Sequence, residues 1–258
     1  MTKIKQNRTF FDLFETNRSV LKVRFDVNST VEATEVEIEN KLEKNIDSNG
    51  LRNLEKLCIN PNVSEFLNFY AKYNGFSLAN PVLPENAQKT PLLLQLPCNQ
   101  LMQFTELYLP KGKLAWTIDF NKTKILYRGK HRWLAFARIA EGPACLTIFL
   151  EGEHAGNVFL LNPQPHFNIL KPIAKTFDDF LDRVAKDPAA FFKLTRAYVT
   201  IVGRDGQNFG YLPIEYVDSG GILFPEKGEK VSLEAIHSED NRTTEGNEKN
   251  KWWRFWQN

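Results

Sequence analysis

The sequence predicts an α+β fold in which helices pack on a mainly antiparallel sheet. Three observations predict it. Short runs alternate apolar and polar residues with the two-residue period of a strand, as in Leu21, Val23, Phe25 and Val27. Other segments set apolar residues at helical spacing behind a capping residue, as in Thr176-Phe177-Asp178-Asp179 with Phe180, Leu181 and Val184. Turn residues join neighbouring strand runs, which is how hairpins are made.

In chain order, residues 20–27 read as a half-buried strand. Thr34-Glu35-Val36-Glu37 resembles a capping box, with Ile38, Leu42 and Ile46 at helical spacing behind it, so a helix is expected there. Asp47-Ser48-Asn49-Gly50 is expected to end it, and Leu51, Leu54, Leu57 and Cys58 to form a second helix that stops near Pro61. Ser64 is expected to cap a third helix through Phe66, Leu67, Phe69, Tyr70 and Tyr73, with Asn74-Gly75 as its left-handed stop. The proline-rich stretch 80–98 reads as an irregular connection with a short strand at Leu92–Leu96. Leu114, Trp116, Ile118 and Phe120 alternate as a strand. Trp133–Ile139 and Ala144–Leu150 flank Glu141-Gly142-Pro143 as a hairpin, and Val158–Leu161 follows a polar turn. Helices at Thr176 and Pro188 come next, then a hairpin of Tyr198–Val202 and Phe209–Val217.

At 258 residues, 42% hydrophobic, the chain is long enough for a sizeable core without disulfides or metal. A net charge of +2 points to neither a nucleic-acid nor a membrane partner. The first twelve residues carry no apolar core of signal-peptide length, and no run reaches transmembrane length, so a cytoplasmic setting is expected. Cys58, Cys98 and Cys145 form no C-x-x-C pair, which gives no support to a zinc ribbon or a redox motif.

No dinucleotide, P-loop, zincin or nucleophile-elbow motif occurs. His131, His154, His166 and His237 include no helical i, i+4 pair. Glu151-Gly152-Glu153-His154 offers oxygen and nitrogen donors but reads as a solvated turn rather than a metal site. A Cys–His pair of Cys145 with His154 or His166 is the remaining hydrolytic arrangement, weighed against a buried strand thiol at Cys145. The expectation is therefore no catalytic residue, no metal and no cofactor.

Residues 111–138 hold eight Lys and Arg against one acid, Asp119, interleaved with Trp116, Tyr127 and Trp133. The solvent face of a β-meander accounts for this better than a nucleic-acid stripe, and an acidic protein partner is the third reading. Residues 237–251 read as a polar linker before Trp252-Trp253-Arg254-Phe255-Trp256. For that tail, Trp252, Trp253, Phe255 and Trp256 are candidates for docking in a groove of the chain or its twin, or for a partner or weak membrane contact.

Asn62–Gly75 resembles the early helix of the SUKH superfamily, which ends in Asn-Gly. Trp133–Ile139 is similar to its central strand. Ala144–Leu150 and Gly156-Asn157-Val158-Phe159 resemble its next strands and the turn between them, and Ala174–Leu181 its closing helix. The match spans residues 50–195. It departs at Glu141-Gly142-Pro143-Ala144, where the family often has Gly-Asp. The resemblance implies an α+β domain with a mixed, curved sheet. It divides the chain into a strand-helix extension (1–49), the SUKH-like domain (50–195), a β-hairpin extension (196–236) and the linker with its tail (237–258).

It also implies a non-enzymatic protein-binding domain. The leading expectation is a bacterial immunity protein that neutralises a toxin by binding it. The alternatives are a regulatory scaffold in signalling or envelope assembly and an enzyme of unrecognised type. Candidate partner-binding residues are Trp116, Arg132, Trp133, Arg138, Glu141 and Glu153. A strand tryptophan such as Trp116 or Trp133 serves either the core or an interface.

Overall fold

The computed structural model describes residues 9–15, 19–25, 33–83, 90–109, 132–140, 142–162, 170–202, 206–218 and 223–224. The chain divides into two units, Met1–Phe224 and Pro225–Asn258, and every described element belongs to the first.

A short 3-10 turn at Phe10–Phe14 precedes β1 (Ser19–Arg24), whose Leu21 and Val23 are fully buried as their alternation requires; the strand stops before Phe25, which is 44% exposed, and Val27 lies outside the described residues. The helix expected from Thr34 is instead a strand, β2 (Thr34–Leu42), antiparallel to β1 with Leu21 opposite Val36. Two-residue spacing decides it. Val36 and Ile38 are buried between exposed Glu35, Glu37 and Glu39, whereas Ile46, needed for the helical stripe, is 41% exposed. Asp47 begins a helix rather than ending one. Its carboxylate accepts from the N–H groups of Asn49 and Gly50 at the start of α1 (Ser48–Leu57). Asn60 and Pro61 then start a 3-10 turn that runs into α2 (Ser64–Tyr70), so Ser64 lies inside the helical path and is not its cap.

Gly75, at φ +112°, turns the chain into β3 (Phe76–Leu83), followed by β4 (Leu93–Gln95) and α3 (Leu101–Glu106). The central strands are β5 (Trp133–Ile139), β6 (Cys145–Phe149) and β7 (Val158–Leu161), with β8 (Leu170–Ala174) beside β7. Then come α4 (Phe177–Lys186), α5 (Pro188–Leu194), β9 (Val199–Val202), β10 (Asn208–Asp218) and β11 (Leu223–Phe224).

These strands form one curved sheet in the order β11-β10-β1-β2-β3-β4-β5-β6-β7-β8, with β9 also paired to β10. The described pairings are all antiparallel, so the mixed sheet implied by the resemblance shows no parallel pair among them. Register shifts in the β1–β10, β2–β3, β5–β6 and β7–β8 pairs bend and twist the strands. The shift in β5 leaves the Ala135 N–H to donate to Thr105 Oγ1 of α3 at 3.0 Å, and that hydroxyl donates to Leu101 O. At the β8 edge, Pro172 withholds a donor and Arg183 of α4 donates to Ile173 O at 2.7 Å, which protects the edge.

Strands from residues 1–49 and 196–236 thus belong to the same sheet as those from 50–195. A single side chain ties them together. Asn40 Nδ2 donates to Leu13 O (2.9 Å) and to the Tyr216 hydroxyl (2.7 Å), while its Oδ1 accepts from Ala79 N (2.8 Å). Tyr216 passes its own proton to Ser19 Oγ at 3.0 Å. Ala79 sits at φ +54°, an uncommon conformation for a residue with a Cβ, and the Asn40 carbonyl fixes its N–H there. Asn40→Leu leaves buried donors and acceptors unmatched. It should cost about 2–3 kcal/mol in urea denaturation, against about 1 kcal/mol for Tyr216→Phe.

Candidate functional site

Three segments meet in an open polar groove of about 380 Å³. One wall is the turn before α2 and the first residues of that helix, with Pro61 and Asn62 from the turn and Ser64 and Glu65 from α2. The other is the β6–β7 turn, with Glu153, Ala155 and Asn157, and the third segment is Lys175 and Thr176 at the start of α4.

Each wall is set by local chemistry. Asn60 Oδ1 accepts from Asn62 N at 3.0 Å, and Pro61 fixes φ at the first position of the 3-10 turn. In the opposite wall, Gly156 N donates to Phe149 O at 2.8 Å and Gly156 has φ +85°. A Cβ on Gly156 would overlap Asn62 O. Only glycine therefore lets the two walls approach this closely. Behind them, Thr176 Oγ1 accepts from Asp179 N at 3.1 Å and Glu65 Oε2 accepts from Asp178 N at 3.0 Å. Glu65 of α2 thus caps α4, whose first-turn N–H groups have no partner within their own helix.

Ile59, just before Asn60, is 80% exposed, an unusual state for an isoleucine. Asp178, Asp179 and Asp182 are exposed along α4. The Asp178 carboxyl is held above the usual carboxylate range, first by burial and then by the like charges of Glu65, Asp182 and Asp179.

Of the residues singled out from sequence, Glu153 lines the groove, with His154 Nε2 3.4 Å from its carboxylate. Arg132 is near the same end of the sheet. It pairs with Glu151 at 3.4 Å, and its carbonyl accepts from Leu150 N. Arg138 is six residues along the strand, roughly 20 Å away, over the Phe104 ring at 5.5 Å. Trp133 is 6% exposed, which corrects its candidacy as an anchor: a buried ring offers a partner almost no area. Trp116, Glu141, Trp252, Trp253, Phe255 and Trp256 lie outside the described residues, as does most of the basic run.

The groove residues Asn62, Glu65, Asn157, Lys175 and Thr176, and the neighbouring Ile59, went unmarked as functional from sequence. They sit in three segments up to 117 residues apart (Ile59 to Thr176), and the only local signal was the polar turn around Glu153.

Cys145 is fully buried near Tyr108, and burial pushes its thiol up to about 12. Cys145 opposes Leu161, whereas His154 is in the turn beyond Phe149, four residues or roughly 13 Å along β6. His154 packs instead against the Phe149 and Phe159 rings, at 5.9 and 5.7 Å between centroids. His166 lies outside the described residues. Burial likewise pushes Cys58 to about 12 and raises Cys98. Among the described residues, no group of three or more His, Cys, Asp or Glu is placed to hold a metal ion, and no helix is long and apolar enough to cross a membrane.

No family model matches the chain, and no curated protein matches it.

A thiol at about 12 is roughly 10⁻⁴ ionised at pH 8, and the thiolate is the reactive form. Iodoacetamide at pH 8 should leave Cys58 and Cys145 unmodified in the folded chain and alkylate both in 6 M guanidinium, as read by mass spectrometry of the peptides.

Proposed function

We propose that this chain is a non-enzymatic protein-binding domain, an immunity protein that neutralises a cognate toxin by binding and occluding it. The observation that carries this reading is Ile59, 80% exposed and two residues before Pro61 of the polar groove wall. An exposed aliphatic side chain next to polar groups already held in place has the make-up of an interface: an apolar anchor with a hydrogen-bonding rim. The groove walls are braced by Gly156 against Asn62 and by Glu65 on α4, so little ordering entropy is lost on binding.

Two further features support the reading. The resemblance of residues 50–195 to the SUKH superfamily supplies the partner class. The buried thiols and the packed His154 leave the Cys145–His154 hydrolytic arrangement without its geometry.

Co-expression with the product of the adjacent gene tests it. The expected result is protection of the host and recovery of a stable complex on purification. Ile59→Asp should weaken that complex about tenfold or more while leaving the thermal melt of the free chain unchanged, because Ile59 contributes little to the core. An adjacent gene product that is neither bound nor neutralised would sink the proposal.

A further inference from the structure

The groove beside Ile59 places two carboxylates, Glu65 and Glu153, against one lysine, Lys175. The surface continues into the start of α4 with exposed Asp178, Asp179 and Asp182, while the cations of that helix, Arg183 and Lys186, lie in its last turn, away from the groove end. Charge complementarity on this face therefore calls for a cation. An anion, which would otherwise be drawn to the α4 N-terminus, meets a position already taken. Glu65 and Thr176 accept the Asp178 and Asp179 N–H groups at 3.0 and 3.1 Å. The upward shift of the Asp178 carboxyl, in part from its acidic neighbours, agrees with a negative local potential.

We infer that this surface docks a basic segment of a protein partner, with an arginine side chain entering the groove between Glu65 and Glu153 and an apolar neighbour covering Ile59. The inference rests on the protein-binding reading and adds the chemistry of the partner. Guanidinium suits the site better than ammonium. It is flat, carries five donors in a fixed fork, and matches carboxylate and amide oxygens of the kind that Glu65, Glu153, Asn62 and Asn157 bring to the walls. A volume of about 380 Å³ admits the head group with part of its stem. Arginine stems favour apolar surface while their heads stay polar, which fits an exposed isoleucine two residues from the groove wall.

The test titrates the ¹⁵N-labelled full chain with N-acetyl-argininamide and, separately, N-acetyl-citrullinamide, which is nearly isosteric and uncharged. The arginine probe should give saturable amide shifts confined to residues 59–65, 153–157 and 175–179, with the citrulline probe roughly fivefold weaker or more. The double variant Glu65→Gln, Glu153→Gln should remove most of that preference, and glutamine at 65 keeps an oxygen for Asp178 N. Lys175→Glu, at an exposed position, should strengthen arginine binding and serves as a second readout if the double variant folds poorly. Equal shifts from both probes, shifts scattered over the surface, or none at all would overturn the inference. A toxin captured by the chain with no arginine response in the groove would leave the immunity reading standing and remove this one. An arginine-specific response without any neutralised gene product would do the reverse.

Discussion

Phe177 sets the geometry on which the rest of the molecule is built. Its ring meets Phe66 and Phe69 of α2, Phe136 of β5 and Phe180 one turn along α4, at centroid separations of 5.1, 5.6, 5.7 and 5.5 Å. Most of these contacts are edge-to-face, which aromatic quadrupoles favour. The chain of rings runs outward through Phe76 to Phe10 on one side and through Phe180 to Phe191 on the other. One residue at the first position of a helix thereby locks two helices and a central strand together. Phe177 lies between Thr176, which lines the groove, and Asp178, whose N–H binds Glu65. The position of the groove therefore follows from core packing, and its polar groups are held by apolar contacts behind them.

The same arrangement explains how the groove is braced although loops and turns line much of it. Glu65 contributes a carboxylate to the start of a neighbouring helix, and Gly156 removes a side chain where two turns touch. Both devices replace local flexibility by contacts between segments distant in sequence. The cost is a set of like charges close together at the start of α4, which adds to burial in raising the Asp178 carboxyl. Acids in the first turn are favoured by the helix dipole, which offsets part of that repulsion.

How much was legible in the sequence followed the range of the signal. Strands with clean alternation, such as Leu21 and Val23, and helices with strong caps, such as Thr176, were read correctly because their determinants are local. Thr34–Leu42 misled because Thr34-Glu35-Val36-Glu37 satisfies a capping-box pattern, yet Val36 and Ile38 gain burial only when paired with β1. β3 and β8 were missed because Pro81 and Pro172 argue against strands. Pro81 pairs with Ile38 beside a register shift, and Pro172 sits on an edge strand, the two settings that tolerate proline. α3 was missed because six residues carry too little periodicity. At the site, Glu153 was marked from its polar turn. Glu65, Asn62 and Lys175 became visible only once α2, the β6–β7 turn and α4 converged.

The pairing of β1 with β10 has a consequence in time rather than in space. Ser19 opposes Asp218, so 199 residues separate partners that share a ladder. At roughly 5–20 residues per second, a ribosome needs about 10–40 s between releasing β1 and β10. During that interval β2 can already pair with β1, while the other edge of β1 waits for its neighbour. β1 carries Lys22 midway along it, which in the finished sheet meets Glu215 of β10 at 3.2 Å and Glu35 of β2 at 4.0 Å. A lysine on an unpaired edge discourages pairing with a second chain. The same side chain thus guards the nascent strand and afterwards welcomes its proper neighbour.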